Sequence, residues 1–156
     1  MIPIQRPGQS PLEIECILVD FEGTLAVDGR VDPKAKDKIN LLSKRTRIYV
    51  LTTSGQEDVA EALRKVKAEV IPLKEGEATQ KKLNALRQAG EERTVVIGNG
   101  MNDLGMIKKA GLSIGVISKE GTAAGVFEQA DLVFMSLLDA LDFLLKPLRQ
   151  KATLGK

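Results

Sequence analysis

The chain has 156 residues, 43% hydrophobic and 28% charged, and its 23 basic and 21 acidic side chains leave a formal charge of +2. That size suits one domain with a real core, and the ordinary composition argues against a disordered or fibrous chain. There is no histidine, so Ser-His-Asp and Cys-His catalysis and His-ligated metal sites are excluded, and any acid, base or metal ligand must be carboxylate, amide, lysine or hydroxyl.

A Pro- and Gly-containing leader over residues 1–12 precedes the domain proper at 13–156. Glu13 to Asp20 reads as a strand, apolar on both faces from Cys16 to Val19, as a buried parallel strand should be. Cys16, the single cysteine, fits there as a small buried hydrophobe. Leu25 to Val31 carries an Asp-Gly pair between apolar residues, the signal for a tight hairpin, so a small flap should follow the first strand. Asp32-Pro33 predicts an N-cap with proline at N1, opening a helix through about Ser43. Arg47 to Leu51 is the next strand, Glu57 to Val66 a helix, and Glu69 to Leu73 a short strand. A helix over Glu77 to Ala89 leads to strand Arg93 to Ile97, and Gly98 to Asp103 opens a helix to Ala110. Leu112 to Ile117 and Asp131 to Met135 are strands on either side of a helix from Thr122 to Ala130, and Leu138 to about Arg149 is a terminal helix.

This β-α-β-α order predicts an α/β fold, a three-layer Rossmann-like domain with a parallel sheet, whose ligands bind outside the carboxyl ends of the strands. Three strands end in polar clusters, Asp20 to Thr24, Thr52 to Ser54 and Asn99 to Asp103, and parallel strands bring all three to one edge. An aspartate leaving a buried strand can attack phosphorus, provided that a cation neutralises the approaching anion, and Mg²⁺ prefers oxygen ligands such as Asp20 and Asp103. The competing phosphate motifs fail: no Gly-x-x-x-x-Gly-Lys-Ser/Thr is present, and Asp103 stands where a dinucleotide fingerprint needs its last glycine.

Asp20-Phe21-Glu22-Gly23-Thr24-Leu25 resembles the first motif of the haloacid dehalogenase superfamily, Asp-x-Asp-Gly-Thr-Leu or Val. Thr52 stands where that family places a phosphoryl-binding Ser or Thr, and Gly98 to Asp103 is similar to its Gly-Asp-Gly-x-Asn-Asp motif. Together with Ala140 to Arg149, that loop looks like the small soluble P-type-ATPase-like group. The resemblance covers about Glu13 to Leu154 and implies a Mg²⁺-dependent phosphatase. Asp20 would be the nucleophile and Glu22 the acid and base. Thr52, Thr53, Gly23 and a helix lysine, Lys81 in preference to Lys82, would hold the phosphoryl group, and Asp20, Glu22, Asn99 and Asp103 the metal.

Two positions depart from the family pattern. Glu22 is one methylene longer than the family's second aspartate, a change compatible with phosphorylation and unfavourable to fast hydrolysis. Asn99 keeps an oxygen ligand but removes a negative charge, so weaker Mg²⁺ binding is expected. These changes motivate the alternative of a weakened regulatory or phosphate- and Mg²⁺-binding module. The spacing between motifs leaves no space for a cap domain. Capless relatives act on large phosphorylated substrates or borrow a neighbouring subunit, so a homo-oligomer fits. The apolar stretches fall far short of the roughly 18 residues that cross a bilayer, and with one Tyr, no Trp and no arginine-rich stripe nothing is set to stack bases. A cytoplasmic protein that partners neither membrane nor nucleic acid is expected.

Overall fold

In the computed structural model, which describes residues 1–155, the apolar run Cys16–Asp20 (β3) is the pivot of the molecule. It pairs in parallel with Arg47–Thr52 (β4) on one side and Thr94–Gly98 (β6) on the other. The six-stranded sheet extends outward to Glu69–Pro72 (β5) beyond β4, and to Leu112–Val116 (β7) and Leu132–Phe134 (β8) beyond β6, every pair parallel. A central parallel strand is buried on both faces, which is why β3, β6 and β7 are buried at every position.

Side chains alternate across that sheet. Ile17 and Val19 face one layer, with Ala35, Ile39 and Leu42 of Pro33–Leu42 (α1) and Leu141, Phe143 and Leu144 of Leu137–Leu145 (α6). Leu18 faces the other, with Leu86 of Ala78–Ala89 (α3), Met106 of Leu104–Lys109 (α4) and Val126 of Ala124–Gln129 (α5). The three layers follow directly. Asp32 caps α1 by accepting from the Lys34 N–H at 2.8 Å, ahead of Pro33.

Three boundaries differ from the sequence expectation. The first strand is two: Leu12–Ile14 (β2) pairs antiparallel with Ile2–Ile4 (β1), so the expected leader buries Ile2 and Ile4 in the core rather than lying outside it. Gln56–Ala62 (α2) stops short of Val66 because Lys65 takes a positive φ of 63° and Asn40 holds that turn, donating to the Lys65 carbonyl and accepting from the Lys67 N–H. The terminal helix breaks at Pro147, which lacks an N–H, into α6 and Pro147–Leu154 (α7). Gln150, buried on α7, donates to the carbonyls of Phe143 and Leu144 at 2.9 and 3.3 Å and so satisfies the open end of α6.

Candidate active site

Asp20 is the last residue of β3, and its register opposite Leu51 places it beside the end of β4. The loop that follows folds back tightly: the Leu25 N–H donates to the Asp20 carbonyl at 3.1 Å and the Ala26 N–H to that of Phe21 at 2.8 Å. Gly23 has φ +80°, and a Cβ there would lie 2.5 Å from Asn99 Nδ2, so this turn needs glycine on both counts. The turn delivers the Thr24 hydroxyl to 3.0 Å from Asp20 Oδ2 and 2.9 Å from Asn99 Oδ1. One hydroxyl carries one proton. It can therefore serve only one of these two oxygens at a time, and the other has a lone pair open to a cation. Beyond it the flap forms as expected, with Asp28 and Gly29 both at positive φ, 53° and 77°, and the Asp28 N–H donating to Glu120 at 3.1 Å.

The end of β6 supplies the second cluster. Asp103 folds back so that Oδ2 accepts from the backbone N–H groups of Asn99 and Gly100 at 3.0 and 2.9 Å. The return is possible because residue 98 is glycine: a Cβ there would meet Asp103 Cγ at 2.5 Å. Asn99 donates its Nδ2 to the Gly121 carbonyl, which turns its oxygen toward Thr24 and Asp20.

Lys82 joins the clusters. Its three ammonium protons have three acceptors, Asp20 Oδ1, Asp103 Oδ1 and Asn102 Oδ1, each at 2.7 Å. The side chains of Lys82, Asp20 and Asp103 are only 2%, 4% and 0% exposed, so one ammonium is shared between two buried carboxyl groups. Burial and the Asp103 carboxylate push Asp20 up to about 8, against the pull of Lys82 and Thr24. Burial alone would lower Lys82, but the two carboxylates outweigh it and hold the ammonium above its ordinary value.

Glu22 faces the end of β4. Its Oε1 accepts from the Thr52 hydroxyl, from the N–H groups of Thr53 and Ser54 at 3.0 Å each, and from the Ser54 hydroxyl at 2.8 Å. Burial would raise its pKa, yet the hydrogen bonds from Thr52 and Ser54 prevail and hold the carboxyl below the usual range. Between the clusters opens a cleft of about 470 Å³ lined by Asp20, Glu22, Thr53, Asn99 and Asn102. A larger cavity, about 760 Å³, lies at the opposite end of the sheet around Cys16, Arg47 and Tyr49. It holds no carboxylate pair.

The structure thus brings Asp20, Glu22, Gly23, Thr52, Thr53, Asn99 and Asp103 to one edge, and it adds Thr24, Ser54 and Asn102. Lys81, the preferred phosphate lysine, is exposed on the outer face of α3, and Lys82 takes the place at the site. The helix explains the exchange: Ala78, Lys82, Ala85 and Leu86 share its buried face, and residue 81 lies a quarter-turn away. Asp103 has both oxygens engaged by Lys82 and the loop amides, so it braces the site from behind and leaves Asn99 to face the cleft.

Residues 76–135, which carry Lys82 and the Asn99 to Asp103 loop, match the model of haloacid dehalogenase-like hydrolases. An uncharacterized protein of Methanocaldococcus jannaschii is 40% identical over 76 residues, covering 46% of this chain and 82% of that relative. A second from the same organism is 37% identical over 41 residues, covering 26% of this chain and 93% of the relative. The chain belongs to the haloacid dehalogenase superfamily.

Solved members of that superfamily share the architecture over nearly their whole length. The cobalt-bound deoxy-D-mannose-octulosonate 8-phosphate phosphatase of Haemophilus influenzae superposes with a TM-score of 0.72 at 19% identity, over 90% of this chain and 91% of that one. The 3-deoxy-D-manno-octulosonate 8-phosphate phosphatase of Moraxella catarrhalis, solved with magnesium, phosphate and its sugar, gives 0.71 at 14% identity, over 86% and 87%. At these identities the likeness is one of fold. Like this haloacid dehalogenase-type chain, they are compact Rossmann-like domains, and among the described residues no cap domain is added to the core.

The donor set suits a hard cation. Asp20 Oδ2 and Asn99 Oδ1 converge on one hydroxyl that can satisfy only one of them, all available donors are oxygens, and the cleft beside them has room for the waters that Mg²⁺ retains. No helix among the described residues is long and apolar enough to cross a membrane.

Proposed function

We propose that the chain is a Mg²⁺-dependent phosphatase working through an aspartyl phosphate on Asp20. The observation that carries this reading is the pairing of a buried carboxylate, held by Lys82 and Thr24, with the cluster of N–H and O–H donors at the end of β4 across a shared cleft. Asp20, Asn99 and the backbone carbonyl of Glu22 would hold the ion, which when bound supplies the positive charge that lets one anion approach another. An Asp20 oxygen bonds to phosphorus as the bond to the leaving oxygen breaks, and Glu22 gives that oxygen its proton. Water then attacks phosphorus, passes its proton to Glu22, and the bond from phosphorus to Asp20 breaks to restore both carboxyl groups.

Preorganised donors at the end of β4 suit the equatorial phosphoryl oxygens, where developing charge is best stabilised. Asp103 keeps Lys82 and the Asn99 loop in place. Support for a phosphorylated small molecule as substrate comes from the two phosphatases that share the fold, and the open mouth of a capless domain suits a homo-oligomer in which a second copy covers it. Hydrolysis of a generic aryl phosphate by wild type and Asp20→Asn, with Mg²⁺ and then with chelator, tests the reading. Turnover that needs both Asp20 and Mg²⁺ is expected; turnover retained by Asp20→Asn refutes it.

A further inference from the structure

The donors at the end of β4 are already filled. Four of them, the Thr52 hydroxyl, the Thr53 and Ser54 N–H groups and the Ser54 hydroxyl, converge on one carboxylate oxygen, Glu22 Oε1. A carboxylate oxygen and a phosphoryl oxygen are interchangeable for such donors: both are anionic and both accept charge-assisted hydrogen bonds. We propose that Glu22 is a built-in occupant of the phosphoryl seat, which a substrate phosphoryl group must expel, and that this expulsion frees Glu22 for proton transfer. The inference rests on the phosphatase reading and adds to it the control of its site.

The two anions exclude each other. The four donors cannot serve two oxygens at once, and like charges a few ångströms apart in a partly buried cleft repel. While ionised and held by Oε1, Glu22 is an acceptor only and has no proton to give a leaving group. Its catalytic role therefore begins when it leaves the seat and takes the proton that a phosphate monoanion brings, which it then passes to the leaving oxygen; the arriving phosphoryl group both displaces it and takes over its hydrogen bonds. The length of the side chain is what permits this. An aspartate at position 22 falls about 1.5 Å short, one carbon–carbon bond, and leaves the Thr52 to Ser54 donors free. The apparent affinity for phosphate in the native chain is accordingly reduced by the fraction of molecules in which the seat is filled.

Titration calorimetry with inorganic phosphate and Mg²⁺, on the full chain, tests this with Glu22→Asp, Glu22→Gln and Thr52→Val. Glu22→Asp keeps the charge and loses the reach, so it is expected to bind phosphate about tenfold more tightly than wild type or better. Glu22→Gln preserves the shape with a weaker neutral acceptor and should tighten binding as well, whereas Thr52→Val should weaken it. Glu22→Asp binding no tighter than wild type overturns the inference, including the case in which Glu22→Gln alone tightens, since the effect is then general charge removal. If Thr52→Val still weakens phosphate binding in that case, the phosphatase reading survives. Phosphate bound by none of the four proteins overturns both.

Discussion

Lys82→Met removes one ammonium and little else, because methionine can follow the same stem through the packed side of α3. What remains is Asp20 and Asp103, each 2.7 Å from the vanished nitrogen and 4% and 0% exposed. Removing one partner of a buried ion pair costs about 3–5 kcal/mol, because the other charge stays desolvated and unpaired. Asp20 softens that cost: with its pKa already about 8 it is largely protonated at pH 7 with or without Lys82, so one unpaired charge rather than two is left and the loss lies at the lower end, about 3 kcal/mol at pH 7. On a chain of this size that lowers the melting temperature by about 6–12 °C. The pH dependence has a definite sign. The Lys82 pKa is raised, so its stabilisation is fully present below its unfolded value and is constant between pH 5 and 8. The variant, in contrast, loses the pull that holds Asp20 down at about 8, so ionising Asp20 costs it more and its deficit is smaller at pH 7 than at pH 9. Urea unfolding at both pH values measures this, with Lys81→Met on the exposed side of the same helix as the control, expected within about 0.5 kcal/mol of wild type. A Lys82→Met loss below about 1 kcal/mol at pH 7, or a deficit that grows on acidification, refutes the reasoning.

Gly98→Ala should cost about 1–3 kcal/mol by overpacking, since its Cβ would fall 2.5 Å from Asp103 Cγ. It should also impair aryl phosphate turnover by displacing the Asn99 to Asp103 loop; denaturation and an activity assay read the two effects separately. Asp142→Asn should cost about 1 kcal/mol at pH 7, because Lys38 on α1 donates to Asp142 on α6 at 2.7 Å. The hydrogen bond from Lys38 depresses the Asp142 pKa, so its contribution is present above the ordinary carboxylate range and is lost as pH falls through its lower folded value. Wild type and variant should begin to converge in unfolding experiments as the pH falls below about 4 and meet only below that lower folded value.

Much of this was legible in the sequence because the signals are local. The apolar run ending at Asp20 marks a central parallel strand, Asp28-Gly29 marks a turn that needs positive φ, and Asp32-Pro33 marks a helix start, and all three appear where those signals put them. The convergence of Asp20, Thr52 and Asn99 required only that the strands be parallel. Lys82 was also within reach: its spacing from Ala78 and Leu86 places it on the buried face of α3, and that spacing outweighs any preference between two adjacent lysines. Alternation at Ile2 and Ile4 and at Leu12 and Ile14 likewise carried the period of two that pairs β1 with β2. The hold of Thr52, Thr53 and Ser54 on Glu22 could not be read, because it depends on how the loop after β3 turns toward the end of β4, and no local pattern reports that angle. The direction of the Asn99 amide is hidden for the same reason, being set by the carbonyl of Gly121, 22 residues away.

The central claim is that Asp20 carries the phosphoryl group in mid-reaction. Acid quenching during turnover of an aryl phosphate, followed by borohydride reduction and peptide mass spectrometry, tests it most directly, since reduction of an aspartyl phosphate leaves homoserine at that position. Homoserine at position 20, absent from the Asp20→Asn protein and from samples quenched without substrate, is the predicted result. Turnover with no reducible acyl phosphate at Asp20, or with one at another carboxylate, would contradict the account.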